Sequence, residues 1–339
     1  LLENLLPLNE EVRKGDASMH TFFIEYLKKF PTALKLALTG EVVLPQSYLK
    51  VKCIVISGMG GSAAAGDIVK DWLYREVNIP IEVVKGYNLP AYADENTLLI
   101  CVSYSGDTWE TLTQFEQGWL KGCRLVAISS GGALKARAEE LKTPYVEVPR
   151  GLLPRLALPQ LLAGIIKVLR SIGIVGEVNI EGLEGLEPMV RGYAEKLAMA
   201  IKDKTPIAIS VYPSVCFRFK TQLNENAKIL AKCEVLPELN HNEVESWVNL
   251  SPGFTVIAFR DEREEAKKVK EAIEVLKEVV SEKASWFDVY AEGTSRLERI
   301  LHLVWLGDYT SYLAAIQRGI NPVKIDIIEL LKKRVAKIR

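Results

Sequence analysis

Gly58-Met59-Gly60-Gly61-Ser62-Ala63-Ala64-Ala65-Gly66-Asp67 follows the apolar run Cys53–Ser57, and Ser103-Tyr104-Ser105-Gly106-Asp107-Thr108 follows the apolar run Leu98–Val102. Each reads as a β-strand that ends in a glycine- or hydroxyl-rich loop and feeds a helix. A helix N-terminus leaves backbone N–H groups without intrahelical partners at the positive end of its dipole, which suits a phosphate. Two such junctions after strands of one parallel sheet put both loops at the same sheet edge. The pattern predicts a pocket for a phosphorylated small molecule.

The alternation extends in both directions. Strands are predicted at Cys53–Ser57, Ile81–Val84, Leu98–Ser103, Leu125–Ser129 and Tyr145–Val148, with helices over 62–76, 108–120 and 132–141 between them. Alternating β and α implies a parallel sheet covered on both faces. Ahead of it lie helical patterns at Glu10–Lys14 and Ala17–Leu38, closed by Gly40. The stretch Pro149-Arg150-Gly151-Leu152-Leu153-Pro154-Arg155 is a punctuated crossover. Helical patterns follow at Leu158–Ile172 and Leu186–Lys202. The alternation then returns, with strands at Ile207–Val211, Cys233–Leu236, Thr255–Phe259 and Trp286–Tyr290 and helices at Phe217–Lys232, Glu262–Lys283 and Arg296–Arg318. A basic helical tail covers Ile325–Arg339. The expectation is an α/β chain of two similar units in tandem: a helical lead over 1–44, units over 45–153 and 154–322, and a terminal helix over 323–339.

Composition narrows the function. The 339 residues are 48% hydrophobic, enough for a substantial core. Lys+Arg and Asp+Glu are equal at 43 each, so no bulk charge attracts a nucleic-acid backbone and an anion site must be local. No apolar stretch is long enough to span a bilayer, and Leu1-Leu2-Glu3-Asn4 lacks the pattern of a signal peptide, so a cytoplasmic protein is expected. Cysteines 53, 101, 123, 216 and 233 are scattered singly, and histidines occur only at 20, 241 and 302, so no metal site is expected.

The first loop invites a dinucleotide reading, but the glycine expected at 63 is alanine. No acidic residue ends the second strand to hold a ribose hydroxyl, since Ile81-Glu82-Val83-Val84 runs into Lys85-Gly86. The second loop adds the hydroxyls of Ser103, Ser105 and Thr108, which suit a monophosphate. In the second unit the matching strand end, Ser210-Val211-Tyr212-Pro213-Ser214, has no glycine cluster and few donors, so phosphate binding is expected in the first unit alone. Chemistry is expected downstream. Glu225 lies between two asparagines in Asn224-Glu225-Asn226-Ala227-Lys228, with Phe219, Leu223, Asn226 and Leu230 on one helical face. His241 lies in Glu238-Leu239-Asn240-His241-Asn242-Glu243. As plain structure, Glu225 reads equally well as a salt-bridged surface carboxylate and His241 as a polar loop residue.

The Ser-x-Ser-Gly-x-Thr loop resembles the sugar isomerase (SIS) domain. Together with the Asn-Glu-Asn-Ala-Lys and Asn-His-Asn-Glu segments, the chain resembles the bifunctional phosphoglucose/phosphomannose isomerase family over roughly residues 45–335. The resemblance implies two tandem SIS (flavodoxin-like) αβα sandwich domains. It implies interconversion of glucose 6-phosphate and mannose 6-phosphate with fructose 6-phosphate through a cis-enediol(ate), without cofactor or metal. It makes Glu225 the base and makes His241, reaching across a homodimer into the partner's site, the group that opens the sugar ring. It makes Arg155 the stabiliser of the enediolate, with Arg150 second choice. Lys332 is the C-terminal lysine that completes the site, with Lys333 as fallback. Gly60, Gly61, Ser62, Ser103, Ser105 and Thr108 would hold the 6-phosphate. Members using mannose 6-phosphate are expected to carry a tail threonine. Here Gly319-Ile320-Asn321-Pro322-Val323-Lys324-Ile325-Asp326 has none, which favours glucose 6-phosphate. Other classes consistent with SIS loops are a phosphosugar-sensing regulator and an isomerase of heptose or amino-sugar phosphates.

Overall fold

A computed structural model describes residues 16–335. Two parallel sheets follow one another along the chain. The first contains β1 (Cys53–Ser57), β2 (Ile81–Val84), β3 (Thr97–Val102), β4 (Arg124–Ser129) and β5 (Tyr145–Glu147) in the order β2-β1-β3-β4-β5. The second contains β6 (Thr205–Ser210), β7 (Lys232–Val235), β8 (Phe254–Arg260) and β9 (Ser285–Tyr290) in the order β7-β6-β8-β9. The winding is the same, one strand shorter. Every residue of β3 is buried, as a central parallel strand covered on both faces requires.

The helices are α1 (Asp16–Lys28), α2 (Phe30–Ala37), α3 (Gly61–Leu73), α4 (Trp109–Leu120), α5 (Gly132–Glu140), α6 (Leu158–Ser171), α7 (Glu187–Ile201), α8 (Pro213–Gln222), α9 (Lys267–Ser281), α10 (Arg296–Gln317) and α11 (Asp326–Val335). In both sheets the strand order reverses between adjacent central strands, β1/β3 and β6/β8, and such a switch point opens a crevice at the strands' carboxyl ends. The two loops singled out above follow β1 and β3.

The carboxyl edge of the second sheet is filled from within. Asp71 of α3 accepts the N–H of Ser214 in the first turn of α8 at 2.8 Å, so a carboxylate of the first unit sits where a phosphate would bind in the second. Burial raises the Asp71 pKa, with the Ser214 hydrogen bonds opposing. After β8, Asp261 accepts from the Tyr212 hydroxyl at 2.6 Å and from Arg299 Nε at 2.7 Å. These carboxylates explain why the second unit needs no glycine-rich loop.

The longest helix among the described residues, α10, begins at a capping box. The Ser295 hydroxyl accepts the Glu298 N–H at 3.2 Å, and the Glu298 carboxylate accepts the Ser295 N–H at 2.8 Å. Further along, Trp305 Nε1 donates to Leu27 O at 2.7 Å, tying α10 to α1.

Three expectations are corrected. The Ala17–Leu38 pattern is two helices broken at Lys29, because Pro31 in the first turn of α2 cannot continue a preceding helix. The Phe217–Lys232 helix starts earlier, at Pro213, and ends in a π-helical turn, Leu223–Ala227; Lys228 at φ +56° stops it and frees Lys232–Val235 for β7. Leu230 therefore leaves the face it was expected to share and is 84% exposed, whereas Phe219, Leu223 and Asn226 are buried. The segment Glu10–Lys14 lies outside the described residues. No helix among the described residues is long and apolar enough to cross a membrane.

His302 of α10 is buried, its Nδ1 accepts the Glu292 N–H at 3.2 Å, and its Nε2 has no partner. Burial pushes its pKa down from 6.5 to about 4. Between those values the unfolded chain binds a proton that the folded chain refuses, so stability falls as pH drops through that window, by up to about 3 kcal/mol. Denaturant titrations from pH 7 to 4 should show this slope, and His302→Gln should flatten it.

Candidate active site

Arg155 organises the site. It lies in the short turn Pro154–Leu156, where the crossover leaves β5 and enters α6, and is only 3% exposed. Its Nη1 donates to Glu225 Oε1 at 2.8 Å, and its Nη2 donates to Pro322 O at 2.5 Å and Val323 O at 3.2 Å. Its guanidinium lies 5.8 Å from the ring centroid of Phe23, on α1. Nε has no partner. Burial pushes the guanidinium pKa down, and Glu225 pulls it back.

Glu225 is carried on the π-turn after α8, 29% exposed at its side chain. A π-turn inserts one extra residue per turn and recurs at functional sites, because it rotates a side chain out of its helical register. Buried polar contacts hold this one from behind. Arg218 grips Asp308 of α10 through two bonds (2.9 and 2.6 Å), with Gln222 Nε2 joining at 3.0 Å. Asn226 Nδ2 donates to Ser311 Oγ at 2.9 Å. Arg218 Nη2 also donates to Arg155 O at 3.1 Å, so the same arginine ties α10 to the crossover.

The two loops meet at the β1/β3 switch point. Gly60, at φ +53°, caps α3, and Ser62 Oγ accepts the Tyr104 N–H at 3.3 Å, joining one loop to the other. The Ser103 hydroxyl is used internally, contacting Thr108 Oγ1 at 2.8 Å and accepting the Gly106 N–H at 3.1 Å. Ser105 is exposed and Thr108, half-buried, caps α4. The amides of Gly60, Gly61, Ser105 and Thr108 have no acceptor among the described residues, the condition an incoming anion satisfies.

The loops also adjoin the arginine. A Cβ at Gly61 would lie 3.1 Å from Pro154 O and 3.6 Å from Arg155 Cα, so the crossover rests against the start of α3. Tyr104 links the second loop to the crossover: its hydroxyl donates to Pro149 O at 3.0 Å and accepts the Leu152 N–H at 2.7 Å.

The remaining expected residues make no hydrogen bond or ion pair with Glu225 or Arg155 in the protomer. Arg150 donates to Ser130 O at 2.6 Å and packs on Gly131. His241 ends a short 3-10 turn, Glu238–His241, and is exposed, with no hydrogen bond to Glu225 or Arg155. Lys332 and Lys333 are exposed on α11, none of whose residues is buried. A cleft of about 390 Å³ separates the π-turn from the tail, lined by Glu225, Lys228, Leu230 and 324–328. A larger groove, about 930 Å³, lies at Lys35, Lys167 and Arg170 and includes none of these residues; its cations are bonded to the Glu181 and Glu184 carboxylates or the Thr39 and Gly40 carbonyls. Among the described residues no group of three or more His, Cys, Asp or Glu side chains is placed to hold a metal ion.

Sequence reasoning missed Phe23, the Tyr104 phenol, Lys228 and the carbonyls of 322–324. Only Lys228 carried a signal, as the cation closing the Asn-Glu-Asn-Ala-Lys run.

The chain is 35% identical over 299 residues to the bifunctional phosphoglucose/phosphomannose isomerase of Aquifex aeolicus, covering 84% of this chain and 91% of that one. It is 32% identical over 307 residues to the protein of the same name from Caldicellulosiruptor bescii, covering 84% and 90%. This chain belongs to the bifunctional phosphoglucose/phosphomannose isomerase family. Residues 191–335 match the family described as the bacterial phospho-glucose isomerase C-terminal SIS domain. The C-terminal domain of a glucosamine-fructose-6-phosphate aminotransferase from Francisella tularensis superposes with TM-score 0.68 at 15% identity, covering 88% of this chain and 96% of that one, a likeness of fold. The expected architecture, two tandem SIS domains with parallel sheets and helices at both ends, is the one observed.

Gly106 sits at φ +79°, and a Cβ there would lie 1.8 Å from Gly131 O. Gly106→Ala must therefore push the second loop off its neighbour; calorimetry with inorganic phosphate should show binding weakened at least about tenfold. Tyr104→Phe leaves the buried Leu152 N–H without an acceptor and should lower unfolding free energy by about 1–2 kcal/mol in urea.

Proposed function

We propose that this chain interconverts glucose 6-phosphate and mannose 6-phosphate with fructose 6-phosphate through a cis-enediolate, with Glu225 as the base. The supporting observation is the 2.8 Å bond from Arg155 to Glu225, made by an arginine whose own backbone packs on Gly61 of the first phosphate loop. A sugar anchored by its phosphate at that loop would present its carbonyl end toward the pair.

In this reading the loops formed by Gly60, Gly61, Ser62, Ser103, Ser105 and Thr108 hold the 6-phosphate, which does not react, and its binding positions C1 and C2. Glu225 takes the proton from C2 of the aldose, the C2–H electron pair forms the C1–C2 double bond and the carbonyl pair moves onto O1. The O2 hydroxyl proton then passes to O1, the carbonyl re-forms at C2 and Glu225 returns its proton to C1. Arg155, always charged, faces the oxygen on which negative charge develops. The step moves one proton from C2 to C1 and one from O2 to O1 within the substrate and calls for neither a redox cofactor nor a metal. The proposed division of labour gives phosphate binding to 45–153, the base to 154–322 and the completing lysine, Lys332 or its neighbour Lys333, to 323–339, with 1–44 as a packed lead.

His241 opens the ring by moving a proton to the ring oxygen, and it does so in the partner's site of a homodimer. Two features support this: His241 is exposed and unbonded in its own protomer, and α11 leaves Ile327 74% and Leu331 58% exposed, beside Leu230 at 84%.

A coupled assay with EDTA present should detect all three hexose 6-phosphates, and Glu225→Gln should lower turnover roughly 10²- to 10⁴-fold with little change in substrate binding. Near-normal turnover in that variant would remove Glu225 from the mechanism. Co-expressed Glu225→Gln and His241→Ala chains, each inactive alone, should regain about a quarter of wild-type activity, since each mixed dimer restores one complete site. No recovery would place both residues in one chain's site.

A further inference from the structure

The tail strap between α10 and α11 turns three consecutive carbonyls toward two cations. Arg155 takes those of Pro322 and Val323. Lys228 takes that of Lys324 at 2.7 Å and, with the same ammonium, the carbonyl of Glu225 itself. Lys228 is a non-glycine residue held at φ +56°, a left-handed conformation costing about 1 kcal/mol for a side-chain-bearing residue. That conformation points its side chain back over the π-turn it terminates. The Val323 N–H is bonded to Asn321 Oδ1 at 2.8 Å, so the strap is a defined turn.

We propose that Lys228 is a positioning residue of the isomerase reaction, whose ammonium clamps the turn bearing Glu225 to the tail strap and so sets the register of both over the substrate. The proposal rests on Glu225 being the base. A surface lysine capping a helix end would need only the carbonyl of its own turn. Here the second acceptor lies 96 residues away in sequence. Without the ammonium, the strap keeps its hold on Arg155 but loses its direct tie to the Glu225 backbone. The carboxylate can then drift by fractions of an ångström, which proton transfer punishes. Because α11 follows the strap directly, the same clamp sets where Lys332 is presented.

The test compares full-length Lys228→Met, which keeps the apolar stem, with Lys228→Arg. In Lys228→Met, kcat for glucose 6-phosphate should fall about 10- to 100-fold with KM within about threefold, and Lys228→Arg should recover most of it. Hydrogen exchange at the amides of 323–325 should quicken in Lys228→Met and stay unchanged in β1 and β3. Unchanged kcat, a rise in KM alone, or unaltered strap exchange would each overturn the proposal. If Lys228→Met does not fold, Lys228→Gly, which relaxes the left-handed conformation, carries the same measurements. Strap exchange is read without turnover, so full activity in Glu225→Gln would overturn the base assignment separately from the clamp.

Discussion

A guanidinium that cannot give up its proton, buried to within 3% of complete enclosure, dictates where four remote parts of this chain must meet. Arg155 needs acceptors, and stranding such a charge costs several kcal/mol. It finds them in Glu225 and in the carbonyls of Pro322 and Val323, while Phe23 offers the face of its ring. The helical lead, the crossover between the sheets, the π-turn and the tail are thereby fixed around one side chain. Each is remote from the others in sequence, so the site exists only in the folded chain. The first loop touches this arrangement through Gly61, which packs against the backbone of Pro154 and Arg155.

Rigidity behind the π-turn comes from α10. Asp308 is buried and would be costly alone, but Arg218 and Gln222 satisfy it, and Ser311 receives Asn226 one turn further on. The irregular turn is thus set against a long, capped, buried helix. Irregular backbone is tolerated where its surroundings over-determine it, and such places are where function concentrates.

Strand positions were legible because parallel strands buried on both faces read as short apolar runs, and all nine appear within two residues of their expected ends. The loops were legible because glycine and hydroxyl residues cluster there for a local reason. Glu225 stood out by its asparagine neighbours, whereas Arg155 was marked only by the resemblance to the isomerase family. What stayed hidden depends on tertiary placement. Nothing local distinguishes Phe23 from a core residue, and carbonyl groups carry no sequence signal at all. The end of α8 was misplaced because an apolar 3.6-residue pattern runs on through Leu223, Ala227 and Leu230. The π-turn and the left-handed Lys228 interrupt it by backbone geometry, which composition does not reveal. Likewise Pro31 was present in the sequence, yet the amphipathic pattern around it masked the break at Lys29.

Asp71 carries a consequence beyond local capping. By occupying the start of α8 it acts as a resident counter-ion for the second half of the molecule, supplied by the first. Tandem halves with the same winding are thereby made unequal: the start of α8 is met by a carboxylate of the chain itself, while the amides of Gly60 and Gly61 at the start of α3 have no acceptor among the described residues. On the proposed reading, uptake of phosphorylated ligand would be limited to one equivalent per polypeptide, and the same carboxylate ties the two halves together.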